Sequence, residues 1–200
     1  KINLIIIVIT GVWRLETKKN MKTATQNLEH DHVYILQLTE IMQAMVEKEV
    51  NNIEHFELVV NLIRKFADGI HHAKEEDLLF PKMGEKGFSP VQGPVAVMLS
   101  EHVQGRNYVQ GMIDGIEMLR QDDSEGLEVI YDNMDGYAEL LQNHIAKENG
   151  VLFRMADQVL SDDEQSSLLI QFDEVEAEAA GEFSTTSSIA KITELAALYL

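Results

Sequence analysis

The residues best suited to chemistry lie in two copies of one pattern, His-x-Ala-Lys-Glu-x-x-apolar-Leu-Phe, at residues 71–80 and 144–153. On a helix, residues four apart lie on the same face, so each copy places its histidine beside its glutamate. These pairs are His71 with Glu75 and His144 with Glu148. An imidazole and a carboxylate side by side can bind a metal ion. Two such pairs, on two helices of one bundle, could hold two ions between them.

A shorter element, acidic-His-Val, precedes each copy, at residues 31–33 and 101–103. His32 lies 39 residues before His71, and His102 lies 42 residues before His144. This separation fits two antiparallel helices joined by a short connection. An up-down-up-down arrangement of four helices would therefore turn all four histidines inward. His30 competes with His32 for the position on the first helix. The apolar stripe through Leu28, Ile35 and Met42 favours His32 and leaves His30 as the alternative.

The composition predicts one all-α domain, because 200 residues with 45% apolar residues and three prolines show helical rather than strand-like periodicity. A formal charge of -18 argues against nucleic acid or an anionic membrane as partner. The sequence has no cysteine, so disulfides and thiolate sites are excluded, and any metal must be bound by His, Asp or Glu. This composition fits the cytoplasm, where we expect the protein to act.

Helical periodicity and capping signals predict a four-helix bundle with additional C-terminal helices. The predicted helices cover residues 25–49, 53–83, 94–121, 124–159, 161–180 and 187–199. Residues 21–160 form the bundle in this interpretation, and residues 161–200 pack on it or extend it. The apolar run within residues 1–20 falls well short of the roughly 20 residues that span a bilayer, so a membrane anchor is not expected. Because Met21-Lys22-Thr23-Ala24 looks like an ordinary protein start, residues 1–20 are expected to be an extension outside the fold.

Burying four imidazoles and two carboxylates in an apolar seam is costly unless something compensates. Two iron ions would do so, and zinc or manganese would accept the same ligands. The remaining histidines have simpler interpretations. His72 and Glu76 are predicted to form a solvated pair outside the seam, and His55 is predicted to lie at the surface.

The complete series of histidines and glutamates resembles the hemerythrin-like family, the HHE cation-binding domain, from about Leu28 to Phe153. The resemblance implies a non-haem di-iron centre in which Glu75 and Glu148 bridge the ions. The ligands it implies are His32, His71, Glu75, His102, His144 and Glu148. Oxygen-carrying hemerythrins place a further histidine one turn after the third-helix histidine, and this chain has Arg106 there. Reversible oxygen transport is therefore not expected, and Arg106 is predicted either to bind an anion or nearby acidic residues, or to point into solvent.

The leading functional hypothesis is a di-iron protein that binds or senses a small ligand such as dioxygen, nitric oxide or peroxide. One alternative is an iron-handling protein that serves iron–sulfur repair or iron sensing. Another is a helical bundle in which the metal has a purely structural role. No residue is predicted to be catalytic, although decomposition of peroxide as a side activity stays open. The sequence identifies no protein partner.

Overall fold

The computed structural model describes Ile5–Ile9, Val12–Glu16 and residues 21–200. Much of the predicted extension, residues 1–20, therefore lies outside the described residues. Its two strands, β1 (Ile5–Ile9) and β2 (Val12–Glu16), pair antiparallel with Ile5 opposite Glu16.

Residues 21–200 form an all-α fold, which confirms the predicted class. The helices, in chain order, are α1 (Ala24–Glu47), α2 (53–85), α3 (Pro94–Arg120), α4 (125–159), α5 (Asp162–Glu178) and α6 (Thr185–Tyr199). Short links between α1, α2, α3 and α4 make sequential neighbours antiparallel. Within the described part of the chain, no helix is both long and apolar enough to cross a membrane.

The helix boundaries follow the capping residues that the sequence displays. The Asn52 side chain accepts a hydrogen bond from the His55 backbone N–H at 3.1 Å and so starts α2. At the start of α5, the Glu164 N–H donates to Ser161 Oγ at 3.3 Å, and the Ser161 N–H donates to the Glu164 carboxylate at 2.9 Å. This reciprocal pair is a capping box.

Two helices are not α-helical throughout. Helix α2 contains wide π-helical turns at Ile63–His72 and Glu75–Leu79, between α-helical segments at Ile53–Leu62 and Phe80–Glu85. Helix α4 contains one, at Glu148–Leu152, between Glu125–Lys147 and Phe153–Val159. A π turn holds one residue more than an α turn and often occurs at a functional site. Each copy of the repeated pattern thus has a π turn that begins at its glutamate.

The histidines form a polar layer between two apolar cores. One core, which includes Ile35, Ile70 and Leu141, extends toward one end of the bundle. The other, which includes Leu28 and Phe153, fills the opposite end. Each bundle helix therefore passes from one core through the histidine layer into the other.

The two C-terminal helices complete these cores. Leu168 and Phe172 of α5 are buried in the same core as Leu28. Ile192 and Leu195 of α6 are buried in the core of Ile35. Both helices pack against α1.

Candidate metal centre

Seven buried side chains gather in the polar layer as two groups of potential ligands. One group contains His32, His71, Glu75 and Glu148, and the other contains His72, Glu75, His102 and His144. Within each group the ligand atoms all lie within 4.8 Å of one another. We call His32 and His71 the His32 half-site, and His72, His102 and His144 the His102 half-site. The structure thus brings together all six predicted ligands and adds His72.

Two imidazoles of each half-site point their Nε2 atoms at one another. His32 Nε2 lies 3.0 Å from His71 Nε2, and His102 Nε2 lies 3.2 Å from His144 Nε2. Two nitrogens bound at right angles to one ion, each at about 2.1 Å, would be separated by about 3.0 Å. The observed spacing therefore fits a shared ion in each half-site.

The two glutamates lie between the half-sites, with one oxygen facing each. Glu148 Oε2 lies 3.2 Å from His32 Nε2, and its Oε1 lies 3.3 Å from His144 Nε2. Glu75 Oε1 lies 3.6 Å from His71 Nε2, and its Oε2 lies 3.5 Å from His102 Nε2. A carboxylate placed in this way could bridge two ions.

All four of these carboxylate oxygens are buried and have no hydrogen-bond partner among the described residues. A buried carboxylate without such a partner is costly, and a cation would remove the cost. Burial and the neighbouring Glu148 carboxylate raise the pKa of Glu75 well above its ordinary value. Burial opposes ionisation of Glu148 as well, but His144 and His32 hold the pKa of that carboxyl well below its usual range. The metal-free pair therefore favours a protonated Glu75 beside an ionised Glu148.

Carboxylates outside the His102 half-site orient two of its imidazoles. His102 Nδ1 donates to Glu76 Oε1 at 2.6 Å, and His72 Nδ1 donates to Asp68 Oδ1 at 3.0 Å. Arg106 donates to the same two carboxylates, at 2.9 Å to Asp68 and 2.8 Å to Glu76. The hydrogen bond from His102 lowers the pKa of Glu76 to about 2, so the carboxylate is an acceptor at neutral pH. Each Nδ1 must then carry the proton, which leaves Nε2 free to bind metal.

The other two bundle helices supply similar partners. His144 Nδ1 donates to Glu101 Oε2 at 2.9 Å, and Lys147 also binds that carboxylate. His32 Nδ1 donates to Asn149 Oδ1 at 2.7 Å. These contacts fix the ring orientations from outside the half-sites.

His71 has a buried ionic partner. Asp31 Oδ2 lies 3.6 Å from His71 Nδ1 and accepts a hydrogen bond from Lys74 Nζ at 2.8 Å. Lys74, which is fully buried, also donates to Asn27 at 2.8 Å and to Glu176 of α5 at 2.6 Å. Burial alone would raise the pKa of Asp31, but the Lys74 ammonium and the adjacent histidines hold it well below its usual range.

The exposed position predicted for His72 is wrong. His72 is buried, and its ring stacks on that of His102 with 3.7 Å between centroids. The wide turn at Ile63–His72 explains the difference, because its extra residue rotates His72 toward the centre from the position that α-helical spacing predicts. The predicted His72–Glu76 pair is also wrong, since Glu76 bonds to His102. The sequence feature that could have identified His72 as a central residue is its position directly after His71.

The other histidines have different outcomes. His30 is buried, but its Nδ1 lies 3.6 Å from Asp31 and its ring meets Tyr34 edge-on, so it belongs to neither half-site. The structure therefore agrees with His32 as the inward histidine of α1. His55 is half-buried and bonds to the Tyr199 hydroxyl. Arg106 binds acidic residues, one of the two roles predicted for it.

A cavity of about 320 Å³ lies beside the His102 half-site, between α2, α3 and α4. Its walls include His72, His102 and His144, but neither His32 nor His71. This cavity therefore leads to one half-site alone.

Comparison with known proteins agrees with this geometry. The family model of the hemerythrin HHE cation-binding domain matches residues 23–156. The chain is similar to uncharacterized protein Rv1995 of Mycobacterium tuberculosis and uncharacterized protein Mb2018 of Mycobacterium bovis. Each is 23% identical over 134 residues, which cover 67% of this chain and 52% of the relative. The chain thus spans about half the length of the curated relatives it matches. No solved structure matches it significantly.

Proposed function

We propose that this chain, which belongs to the family of hemerythrin HHE cation-binding domains, binds two iron ions and uses them to bind or sense a small ligand. His32 and His71 would hold one ion, and His72, His102 and His144 the other. Glu75 and Glu148 would bridge them. Iron bound there would supply coordination positions for a ligand such as dioxygen, nitric oxide or peroxide.

The observation that carries the proposal is the position of the two buried glutamates. Each has one oxygen beside each half-site, and none of the four oxygens has a hydrogen-bond partner among the described residues. Hydrogen bonds within the protein do not account for this arrangement, whereas two cations would satisfy all four oxygens at once. Nitrogen and carboxylate donors of this kind suit iron, and also accept zinc or manganese.

Two further features favour ligand binding over the alternative roles. The cavity beside the His102 half-site gives a small molecule a route to that half-site, which a purely structural staple would not need. The half-site histidines and both glutamates are buried, and buried ligands oppose the rapid iron release that an iron donor requires.

The test is to load the purified protein with ferrous iron, measure iron and protein, and add nitric oxide to one sample. A second sample is oxidised in air and then receives azide as a small anionic probe. We expect two iron ions per chain and a visible absorption change on adding azide. Uptake of one ion or none would contradict the two-ion centre. Two bound ions with no response to azide or nitric oxide would favour the alternative in which the metal has a purely structural role.

A further inference from the structure

The cavity beside the His102 half-site is much larger than a diatomic ligand requires. Its volume of about 320 Å³ is roughly ten times the ~30 Å³ that one water molecule occupies in the liquid. Along α3 its lining extends from His102 to Ile113, which at 1.5 Å per residue is about 16 Å. The cavity is therefore elongated, with the half-site at one end.

The walls between the two ends are mostly apolar. Ile63 of α2, Val109 of α3 and Leu141 of α4 line the cavity and belong to the adjoining core. Such a wall favours a hydrocarbon chain over a chain of polar groups, because burying apolar surface is favourable and burying an unpaired polar group is not.

Two polar side chains of the cavity lack partners. Tyr137 is 3% exposed, lines the cavity and makes no hydrogen bond with the described residues. Burial raises the pKa of its hydroxyl, which therefore remains a hydrogen-bond donor. Arg64, which is exposed, also lines the cavity and forms no ion pair with the described residues. Both groups favour a ligand with oxygen acceptors or negative charge somewhere along the cavity. Arg64 lies at the Ile113 end, away from the half-site, because both residues also line a neighbouring pocket with Ile116 and Glu117.

The other charged groups of the lining are already paired. Asp68 is bound by Arg106 and His72, and Glu101 by His144. Arg64 thus provides positive charge beside an otherwise neutralised lining, in a protein whose net charge is -18. Its field would attract an anion to this cavity rather than elsewhere on the acidic surface.

We propose that this cavity binds a small linear amphipathic molecule, with a head of oxygen donors at the His102 half-site and a hydrocarbon chain along Ile63, Val109 and Leu141. The head is a carboxylate or a hydroperoxide, each of which offers two oxygen atoms; the carboxylate is charged at neutral pH and the hydroperoxide is not. This inference rests on the proposed function, because the head binds to an ion in the half-site.

The experiment uses zinc-loaded protein, since zinc has no redox chemistry and leaves a hydroperoxide intact. Metal content is measured first, and binding of acetate, hexanoate and hexyl hydroperoxide is then measured by calorimetry. We expect hexanoate to bind at least about tenfold more tightly than acetate, because its four additional CH₂ groups are buried. Tighter binding of the hydroperoxide than of hexanoate would identify the hydroperoxide as the natural head, and the reverse would identify the carboxylate.

Gly105→Leu supplies the variant that fills the cavity. Gly105 lines the cavity, and a Cβ there would approach the Tyr137 ring to 3.5 Å, an ordinary contact. The variant should weaken hexanoate at least about tenfold and leave acetate unchanged. Gly84→Leu, where no atom lies within 4 Å of an added Cβ, is the matched control and should change neither.

The outcomes separate the two proposals. Protein that takes up neither zinc nor iron would overturn the proposed function and this inference with it. Metal-loaded protein that binds hexanoate no more tightly than acetate, or that binds it equally after Gly105→Leu, would overturn this inference alone.

Discussion

The two half-sites contain the same types of ligand but differ in what surrounds them. Both half-sites stack a histidine on the phenylalanine of a repeat copy, His32 on Phe153 at 5.5 Å and His102 on Phe80 at 6.1 Å between ring centroids. In the His32 half-site, His71 also lies beside a buried ion pair. The His102 half-site instead lines a cavity and is held by Arg106 from the surface. The His32 half-site, which we call the enclosed half-site, therefore lies away from the cavity, and the His102 half-site lies at its wall.

The repeated pattern makes this contrast measurable, because equivalent residues have different environments. Lys74 and Lys147 each precede the glutamate of their copy. Lys74 is fully buried between Asp31 and Glu176, whereas 43% of the Lys147 side chain is exposed beside Glu101. The lysine of the repeated pattern therefore forms a buried ion pair in the first copy and a surface contact in the second copy.

The largest expected effect comes from removing a carboxylate that both half-sites share. Glu75→Gln should reduce bound iron from two ions to less than one per chain, because an uncharged amide offsets neither ion. His32→Ala should remove only the ion of the enclosed half-site and leave about one. Metal analysis after gel filtration measures both.

Asp77→Asn is the control for Glu75→Gln, since Asp77 lies two residues away and is exposed. It should retain two ions. Two ions retained in Glu75→Gln itself would show that Glu75 does not bridge. Equal loss of iron in Glu75→Gln and His32→Ala would show that Glu75 is not shared between the two half-sites.

The equivalent lysines give the next largest effect. Lys74→Met should lower the free energy of unfolding by about 3–5 kcal/mol, because it leaves the buried Asp31 carboxylate without its partner. Lys147→Met should cost only about 0–1 kcal/mol, since 43% of the Lys147 side chain is exposed. Urea unfolding of both metal-free variants at neutral pH makes the comparison. Equal decreases in the free energy of unfolding would mean that the two lysines contribute equally to stability.

His72 should make the metal-free protein sensitive to acid. Burial, and then the neighbouring His102, lowers the pKa of His72 from its ordinary 6.5 to about 4. Between these values the unfolded chain binds a proton that the folded chain does not, so stability falls as pH decreases from about 6.5 to 4. The loss is on the order of 3 kcal/mol when complete.

Urea unfolding of metal-free protein at several pH values between 7 and 4 tests this expectation. His72→Gln should remove a large part of the slope in that window, and the remainder includes His71, whose pKa burial lowers to about 3. An unchanged slope in His72→Gln would argue that His72 is not buried as a neutral imidazole.

The smallest expected effect concerns the arginine at the edge of the cavity. Arg106→Gln should weaken metal binding at the His102 half-site about 10–100-fold, because Asp68 and Glu76 lose the cation that positions them. The enclosed half-site should keep its affinity. Competition with a chelator resolves the two ions, and Arg120→Gln, whose ion pair with Glu57 is exposed, is the control. Equal weakening of both ions would contradict a role confined to one half-site.

Much of the helical framework could be predicted from the sequence because its boundary signals are local. The first helix was predicted at 25–49 and is Ala24–Glu47, and the second was predicted at 53–83 and is 53–85. Asn52 and the Ser161 capping box mark helix starts wherever the helices pack. The inward positions of the six predicted ligands followed from the repeat and from helical spacing.

His72 and the two lysines could not be predicted in the same way. Helical spacing assumes 3.6 residues per turn throughout, and the wide turn at Ile63–His72 departs from it without a recognised sequence signal. The burial of Lys74 depends on Glu176, which is 102 residues away and reaches it only after α5 has packed. Properties set by distant elements are not visible in a local pattern.

The contacts from His71 through Asp31 and Lys74 to Glu176 connect the enclosed half-site to α5, outside the four-helix bundle. Thermodynamic linkage requires this connection to act equally in both directions. By whatever factor an ion at His71 strengthens the packing of α5, displacement of α5 weakens the binding of that ion. The packing of α5 and the metal affinity of the His32 half-site are therefore linked, so that a molecule that displaces α5 would lower the metal affinity of a half-site it does not contact.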